Sequence, residues 1–289
     1  MDKSDKRARM VARRHARNQT RPVQASAAHH ARIAPSASTA SALSALFTYD
    51  CDRDSPGVVI PRPELQLVVR FGPSSRNGLD VHAFGARQRV HRKLIRRGQR
   101  SVTARLALGA PEAVLGVPAS EMAGRIVALE DLWGDVAARR LCARLAEARD
   151  MAAAAGVLES AIAERIAAAN GKGKGRRPAR AELAVAAAER LTGSSGSVYA
   201  VAEELGVSER QLRRVFRETV GVSPKAFARI ARFQRALGAA REEARAGWAS
   251  IAAGAGYYDQ AHLIAEFRAI AGVTPRVLVG ELRGAAGIG

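Results

Sequence analysis

The stretch VAEELGVSERQLRRVFRETVGVSPKAF, residues 201–227, decides how the C-terminal part of this chain folds. Ser208 and Gln211 fit the capping box Ser/Thr-x-x-Glu/Gln, in which the hydroxyl oxygen accepts a hydrogen bond from the backbone three residues later. A helix is therefore predicted to begin at Ser208. Its apolar residues recur at i, i+3 and i+4 and form one buried edge: Leu212, Val215 and Phe216.

Turn signals bound this helix on both sides. Upstream, Val201, Ala202 and Leu205 form one apolar face, which predicts a short helix that ends at Gly206. Downstream, Gly221 fits the left-handed position that closes a helix, and Ser223-Pro224 fits the start of the next one. A short helix, a tight turn containing glycine and a second helix with an apolar inner edge form a helix-turn-helix unit.

The same pattern recurs later in the chain. FRETVGVSP begins at Phe216 and FRAIAGVTP at Phe267, which is 51 residues further on (267 − 216). In this second copy a short helix ends at Gly256, and a second helix begins at about Asp259. From glycine to phenylalanine the second copy is one residue longer, 11 against 10. We predict two related units joined by a long helix from Pro224 to about Ala246.

Two helix-turn-helix units joined by one long helix resemble the DNA-binding domain of the AraC/XylS transcription regulators. The resemblance covers about residues 179–283 and rests on residues 201–227 and on IAAGAGYYDQAHLIAEFRAIAGVTP, residues 251–275. It implies a sequence-specific regulator whose second helix in each unit enters a major groove, the two grooves lying about one duplex turn, roughly 34 Å, apart. Double-stranded DNA is then the partner, and RNA polymerase and a small-molecule effector are further candidates.

The outward face of the first recognition helix is rich in arginine. Four arginines beside a helix N-terminus suit guanine O6 and N7 and phosphate oxygens. By the resemblance, Arg210, Arg213 and Arg214 occupy base-contacting positions and Arg217 meets phosphate. Gln211, on the same outward face, is a further candidate for DNA contact. The alternative is an ordinary solvated helix face.

The second unit and the linking helix supply the other candidates for DNA contact, which are Lys225, Arg229, Gln260, His262 and Arg268. Solvated side chains are the alternative for Lys225 and Arg229, and a packed or capping role is the alternative for His262. Ile264 and Ala265 stand where many family members carry a polar residue and then Arg, and Glu266 adds negative charge. We therefore expect the first unit to dominate and the second half-site to be read more loosely.

Alternating apolar residues indicate half-buried strands between Gly57 and Leu108. ELQLVVRFG, SVTARLAL and LDVHAF follow this pattern. The predicted buried faces of the first two are Leu65, Leu67, Val69 and Phe71, and Val102, Ala104, Leu106 and Leu108. PEAVLG and SEMAGRIVALEDLWG indicate short helices, followed by longer ones from Asp135 to about Arg149 and from Met151 to Asn170. The stripe Leu158, Ile162 and Ile166 either docks on the sheet or pairs two subunits through residues 135–170.

The fold class predicted from these patterns is α+β, with a small β-rich N-terminal domain and flanking helices, and an all-α C-terminal domain. The predicted segments are a disordered basic arm at 1–44, the β-rich domain at 45–170, a basic Gly-rich linker at 171–178, the DNA-binding domain at 179–283 and a tail at 284–289. PRPELQLVVRFGP and GVPASEMAGRIVALEDLWG resemble the small domain that precedes this DNA-binding domain in some AraC-type regulators. That resemblance implies a sensory or dimerising role.

Composition excludes several other classes of protein. The chain has 46 Lys and Arg against 27 Asp and Glu, a formal charge of +19, which favours a polyanionic partner and leaves a non-specific architectural DNA-binding protein as the alternative function. Cys51 and Cys142 are too few for a disulfide scaffold, so we predict a cytoplasmic protein. They are also too few for a thiolate zinc site or a zinc-held methyl acceptor, so we predict that the protein is not an enzyme. His82 and His91 lack partners at metal-ligand spacing, so no metal or cofactor is predicted. No apolar run reaches the about 18 residues of a membrane span.

Overall fold

The computed structural model describes residues 29–171, 177–193, 197–242, 247–284 and 286–288. Its strands are β1 (His29–Ile33), β2 (Leu43–Asp50), β3 (Ser55–Val59), β4 (Gln66–Phe71), β5 (Leu79–Phe84), β6 (His91–Ile95), β7 (Arg100–Leu106), β8 (Ile126–Ala128) and β9 (Ala286–Ile288). Its α-helices are α1 (Pro111–Leu115), α2 (Leu129–Trp133), α3 (Asp135–Ala146), α4 (Met151–Asn170), α5 (Arg177–Gly193), α6 (Val198–Glu204), α7 (Glu209–Val220), α8 (Pro224–Glu242), α9 (Trp248–Ala255), α10 (Gln260–Ala271) and α11 (Pro275–Gly284). The predicted α+β class is confirmed.

The larger sheet is antiparallel, with the strand order β1-β2-β7-β4-β5-β8. The predicted alternation is confirmed at its centre, where Leu67 and Val69 of β4 lie opposite Ala104 and Val102 of β7, and all four side chains are fully buried. Since alternate residues of a strand point to opposite faces, Val68 and Thr103 face away from this core. The smaller sheet has the order β6-β3-β9.

Helix α4 covers the inner face of the larger sheet. It packs against β7 and β2, and its Leu158 and Ile162 are fully buried. Asp150 caps the helix by accepting a hydrogen bond from the backbone N–H of Ala153 at 2.7 Å. The predicted boundaries Met151–Asn170 are confirmed. Of the predicted stripe, Leu158 and Ile162 dock on the sheet, whereas Ile166 is only partly buried.

Two predicted segments differ from the structure in kind. Residues 29–44 are ordered, contrary to the predicted arm, because β1 pairs with β2 and the backbone N–H of Ser36 donates to Glu159 at 2.6 Å. Residues 1–28 lie outside the described residues. Ile126–Ala128, predicted as helix, forms a strand because the edge of β5 offers it backbone hydrogen bonds.

The observed limits of the linker and the tail also differ from the predicted ones. Helix α5 begins at Arg177, inside the predicted linker 171–178, while residues 172–176 lie outside the described part of the chain. In the predicted tail, β9 pairs in parallel with β3. The end of the chain is thus joined to an N-terminal strand.

Two hydrophobic cores hold the helices. The first runs continuously from the inner face of the larger sheet through α4 to the first helix-turn-helix unit, and it includes Leu67, Leu158 and Phe216. The second contains the inner residues of the second unit together with Val58 and Ile60 from the N-terminal half. Each helix-turn-helix unit is therefore packed against N-terminal residues.

Candidate nucleic-acid interface

The first helix-turn-helix unit consists of α6, a tight turn and α7. Gly206 has a φ of +64°, and the Ser208 hydroxyl accepts a hydrogen bond from the Gln211 backbone at 3.2 Å. Gly221, with a φ of +88°, closes the helix. Leu212 and Phe216 are fully buried. The predicted start, end and buried edge of this helix are confirmed.

The side chains predicted to contact DNA from this unit all lie on the exposed face of α7: Arg210, Gln211, Arg213, Arg214 and Arg217. The Arg213 Nε donates to the Glu209 carboxylate one turn earlier at 2.7 Å, which holds that guanidinium along the helix surface. Within the described residues no carboxylate pairs with Arg210, Arg214 or Arg217. These three cations are free to meet a polyanion.

The inner side of α7 is fixed to the rest of the fold. The Phe216 ring meets that of Phe227 edge-on, with the centroids 5.3 Å apart. At the C-terminal end of the helix, Glu218 accepts a hydrogen bond from Arg180 of α5 at 3.0 Å. This contact holds the carboxylate of Glu218 against α5.

The second unit consists of α9, a longer turn and α10. Asp259 accepts a hydrogen bond from the His262 backbone at 2.7 Å and caps α10, whose Leu263 and Phe267 are fully buried. Gly256 has a φ of +83°, and the next residue, Tyr257, is 4% exposed. The cap follows the turn glycine by three residues here and by two in the first unit, which accounts for the extra residue of the second copy.

The longer turn places Tyr258 on the surface, with 93% of the residue exposed. An aromatic ring with a hydroxyl at the entry to a recognition helix is a candidate for contact with a phosphate or a sugar. Sequence patterns did not single out this residue, although the length difference between the two copies marks the turn that carries it.

The three predicted contact residues of the second unit, Gln260, His262 and Arg268, are all exposed. The imidazole of His262 meets the Tyr257 ring edge-on at 5.3 Å, so one edge of it is packed. Arg268 is the cation among the three. The exposed face of α10 thus carries fewer positive charges than that of α7.

Glu266 does not belong to this exposed face. Only 9% of it is exposed, and its carboxylate accepts hydrogen bonds from Arg229 at 3.0 Å and from Arg232 at 3.5 Å, both on α8. The prediction that Glu266 adds negative charge toward DNA is wrong, because the side chain faces the linking helix. Arg229, predicted to hold phosphate, is instead partly committed to this carboxylate.

The linking helix α8 begins at Pro224, with Ser223 as its cap, and Lys225 is exposed in its first turn. Further along, Phe233 packs against Phe267 of α10 with the ring centroids 4.5 Å apart. Trp248 is partly buried against the same core. Residues 243–246 lie outside the described residues.

Strand β6 of the N-terminal half and the residue before it contact the second unit directly. Arg92 forms an ion pair with Glu281 of α11 at 2.8 Å and donates to the Ala271 carbonyl at 2.9 Å. Beside it, the backbone N–H of Val90 donates to the Ile270 carbonyl at 2.9 Å. These bonds reach the C-terminal end of α10, the second recognition helix.

Other features of the described residues bear on function. His82 contacts Asp80 at 3.2 Å, and no group of three or more metal-ligating side chains occurs in the described part of the chain. Burial raises the pKa of the Cys142 thiol, and nearby Glu130 raises it further. None of the described helices has the length and apolar character needed to span a bilayer.

Comparison with known proteins finds a matching family model and similar solved structures. Residues 201–279 match a family model described as a helix-turn-helix domain. Among solved structures, the chain is similar to a DNA-binding transcriptional dual regulator from Escherichia coli K-12, with 23% identity over 35% of this chain and 88% of that one and a TM-score of 0.30. It is also similar to unsaturated fatty acid-bound ToxT from Vibrio cholerae strain SCE256, with 9% identity over 84% and 96% and a TM-score of 0.45.

A search of curated proteins found no match. The matched residues begin within α6 and end within α11, so they contain most of both helix-turn-helix units. The chain therefore carries, at residues 201–279, a helix-turn-helix DNA-binding domain of the AraC type, which is a domain of transcription regulators.

Proposed function

We propose that this protein is a sequence-specific transcription regulator that places α7 and α10 in successive major grooves of one duplex. The observation that carries this proposal is the exposed face of α7, where Arg210, Arg214 and Arg217 have no carboxylate partner among the described residues. Arginine reads guanine through two hydrogen bonds to O6 and N7 and also binds phosphate. A helix that presents several such side chains at its N-terminal half suits both tasks.

The first unit dominates binding in this proposal. Its recognition helix exposes four arginines, whereas Arg268 is the one cation among the predicted contacts of α10. Since phosphate neutralisation supplies much of the affinity, the first unit contributes more of it. The second unit adds Gln260, His262 and the exposed ring of Tyr258, which are suited to a looser reading of the second half-site.

Residues 45–170 are proposed to act as a sensory domain and residues 179–283 as the DNA-binding domain. Support comes from Arg92 of β6 and from Val90 just before this strand, which both donate hydrogen bonds to the end of α10. A change in β6 would alter the position of the second recognition helix relative to the first. The alternative function, a non-specific architectural protein, has support in the formal charge of +19.

Fluorescence anisotropy with labelled duplexes tests the proposal. The full-length protein is titrated with its own upstream region and with a shuffled duplex of the same length and salt concentration. A specific regulator binds the first duplex about 10³-fold or more tightly than the second. Equal affinity for both would refute sequence-specific binding and favour the architectural alternative.

Two substitutions on α7 sharpen the test. Arg214→Ala is expected to lose about 1–3 kcal/mol on the specific duplex and to relax selectivity at one base position. Arg217→Ala is expected to weaken binding to all duplexes alike and to lower the salt slope by about one unit. If both variants show the same uniform loss, Arg214 does not read a base.

A further inference from the structure

The linking helix α8 passes from one hydrophobic core to the other. Phe227, in its first turns, belongs to the core that contains the first helix-turn-helix unit. Phe233, Ala236 and Leu237, further along the same helix, belong to the core that contains the second unit. Apolar packing therefore holds each unit in its own cluster, and the angle between the two units depends also on polar contacts along α8.

Arg235 makes such a contact from the part of α8 that enters the second core. Its Nη2 donates a hydrogen bond to the carbonyl of Ala255, the last residue of α9, at 3.1 Å. Its Nη1 donates to the Thr192 carbonyl at the end of α5. Helix α5 packs against α7 and contributes Leu191 to the first core, whereas α9 contributes Ala252 to the second. One side chain thus joins helices on both sides of the boundary.

Both acceptors are carbonyl groups that a helix leaves without an internal donor. The last four C=O groups of an α-helix have no intrahelical N–H partner, and a positive charge beside them is favoured by the helix dipole. A guanidinium group directs its N–H groups outward from a rigid planar fork, so Arg235 reaches two carbonyls from two different helices at once. The ammonium group of a lysine is a compact point charge without this fork.

The neighbouring arginines of α8 hold the second recognition helix. Arg229 and Arg232, which precede Arg235 at intervals of three residues, both donate to the Glu266 carboxylate of α10. A Cβ on Gly256, the turn glycine before α10, would lie 3.6 Å from the Arg235 Nη2 and 3.8 Å from the Arg232 Cδ. Arg235 therefore lies beside the turn that leads into α10 as well as at the end of α5.

We propose that Arg235 is a positioning residue that fixes the angle between the two helix-turn-helix units and thereby sets the half-site spacing that the protein accepts. It contacts no DNA itself. Without its two hydrogen bonds, the second unit samples a wider range of angles about α8, and α10 follows half-sites at more than one spacing. The inference rests on the proposed function, because only a protein that reads two half-sites selects a spacing between them.

Anisotropy titrations with two duplexes measure this spacing selectivity on the full-length protein. Hydroxyl-radical footprinting first locates the two contacted grooves in the upstream region, and the second duplex carries one additional base pair between them. One base pair turns the second half-site by about 35° around the duplex axis, because a turn takes about 10–10.5 base pairs. We expect the unchanged protein to prefer the original spacing by about tenfold or more, and Arg235→Ala to prefer it by about threefold or less.

Two further variants show whether the fork of Arg235 is responsible. Arg235→Lys keeps the positive charge and the apolar stem, and its preference for the original spacing should also fall to about threefold or less. The control is Arg241→Lys, which makes the same exchange at an exposed position in the last turn of α8 and should keep the full preference. If both Arg235 variants keep that preference, the proposal is refuted. Lower stability in urea together with an unchanged preference would show that Arg235 only stabilises the fold, which also refutes it.

A distance measurement without DNA tests the orientation of the two units directly. Nitroxide labels are attached at Glu203→Cys and Ala253→Cys in protein whose two native cysteines are replaced by serine. Both positions are exposed, and each lies three residues before the turn glycine of its unit. Double electron–electron resonance then gives the distribution of distances between the two units.

This measurement also separates the proposal from the proposed function. Arg235→Lys should broaden the distance distribution, and Arg241→Lys should leave it as it is in the unchanged protein. An unchanged distribution in Arg235→Lys would refute the positioning role even if the protein binds its operator specifically. A broadened distribution in a protein that binds every duplex alike would support the role of Arg235 in orienting the units, and the specific regulator alone would be refuted.

Discussion

Gly221 and Gly272 offer a matched pair of substitutions that measures how firmly the first recognition helix is packed on the N-terminal half. Both close a recognition helix in the left-handed region, with φ of +88° and +74°. A Cβ at Gly221 would lie 2.8 Å from the carbonyl oxygen of Ala119, in the 3₁₀ turn Ala119–Met122, whereas a Cβ at Gly272 would meet no atom within 4 Å. Alanine at either position incurs the left-handed penalty of about 1–2 kcal/mol. Only Gly221→Ala also adds overpacking against backbone, about 1–3 kcal/mol.

The expected loss in free energy of unfolding is therefore about 1–2 kcal/mol for Gly272→Ala and about 2–5 kcal/mol for Gly221→Ala. Urea unfolding followed by far-UV circular dichroism measures both, with the unchanged protein as reference. The difference between the two variants isolates the approach of α7 to Ala119. Equal losses for the two variants would show that this contact is absent, and the packing of the first unit on the N-terminal half would then be wrong.

Four other substitutions test single elements of the structure. Leu158→Ala empties a fully buried position under the sheet and should cost about 2–5 kcal/mol in urea unfolding; a loss below 1 kcal/mol would place α4 off the sheet. Ser208→Ala removes the cap of α7 and should cost about 0.5–2 kcal/mol by the same measurement, and no loss would contradict the cap. Glu266→Gln keeps the side-chain volume but removes the charge that Arg229 binds, and it should lower the free energy of unfolding by about 1.5–3 kcal/mol. Unchanged stability together with tighter binding of the specific duplex would mean that Glu266 faces DNA after all. Tyr258→Ala should leave stability within about 0.5 kcal/mol and weaken DNA binding several-fold in anisotropy titrations, and unchanged binding would remove Tyr258 from the interface.

Local sequence rules predicted the C-terminal helices well because the signals are contained in a few neighbouring residues. The Ser208 cap and the Gly221 end of α7 follow from side-chain hydrogen bonding and from the backbone freedom of glycine, both of which act within one helical turn. The boundaries of Met151–Asn170 are confirmed for the same reason. Sheet residues with a clean alternation, such as Leu67 and Val69, were equally readable.

Elements that depend on distant partners were not predictable in this way. Strand β6 carries four exposed residues before the buried Ile95, so it has no apolar alternation and becomes a strand only because β3 pairs with it. The direction of Glu266 is also set from outside α10, by two arginines on α8. The exposure of Tyr258 follows from the longer turn of the second copy, because residue type alone does not distinguish it from the buried Tyr257 beside it.

The two recognition helices are held by contacts of different kinds, and this difference bears on regulation. The first unit shares a continuous apolar core with the larger sheet, so separating it exposes fully buried side chains such as Phe216. The second unit is attached through Val58 and Ile60 and through the Arg92–Glu281 pair, whose side chains are 40% and 29% exposed. Ion pairs this exposed contribute about 0–1 kcal/mol, so the Arg92–Glu281 pair itself adds little to the second attachment. Under the proposed function, a change in β3 or β6 would act directly on the contacts of α10 and so on the reading of the second half-site.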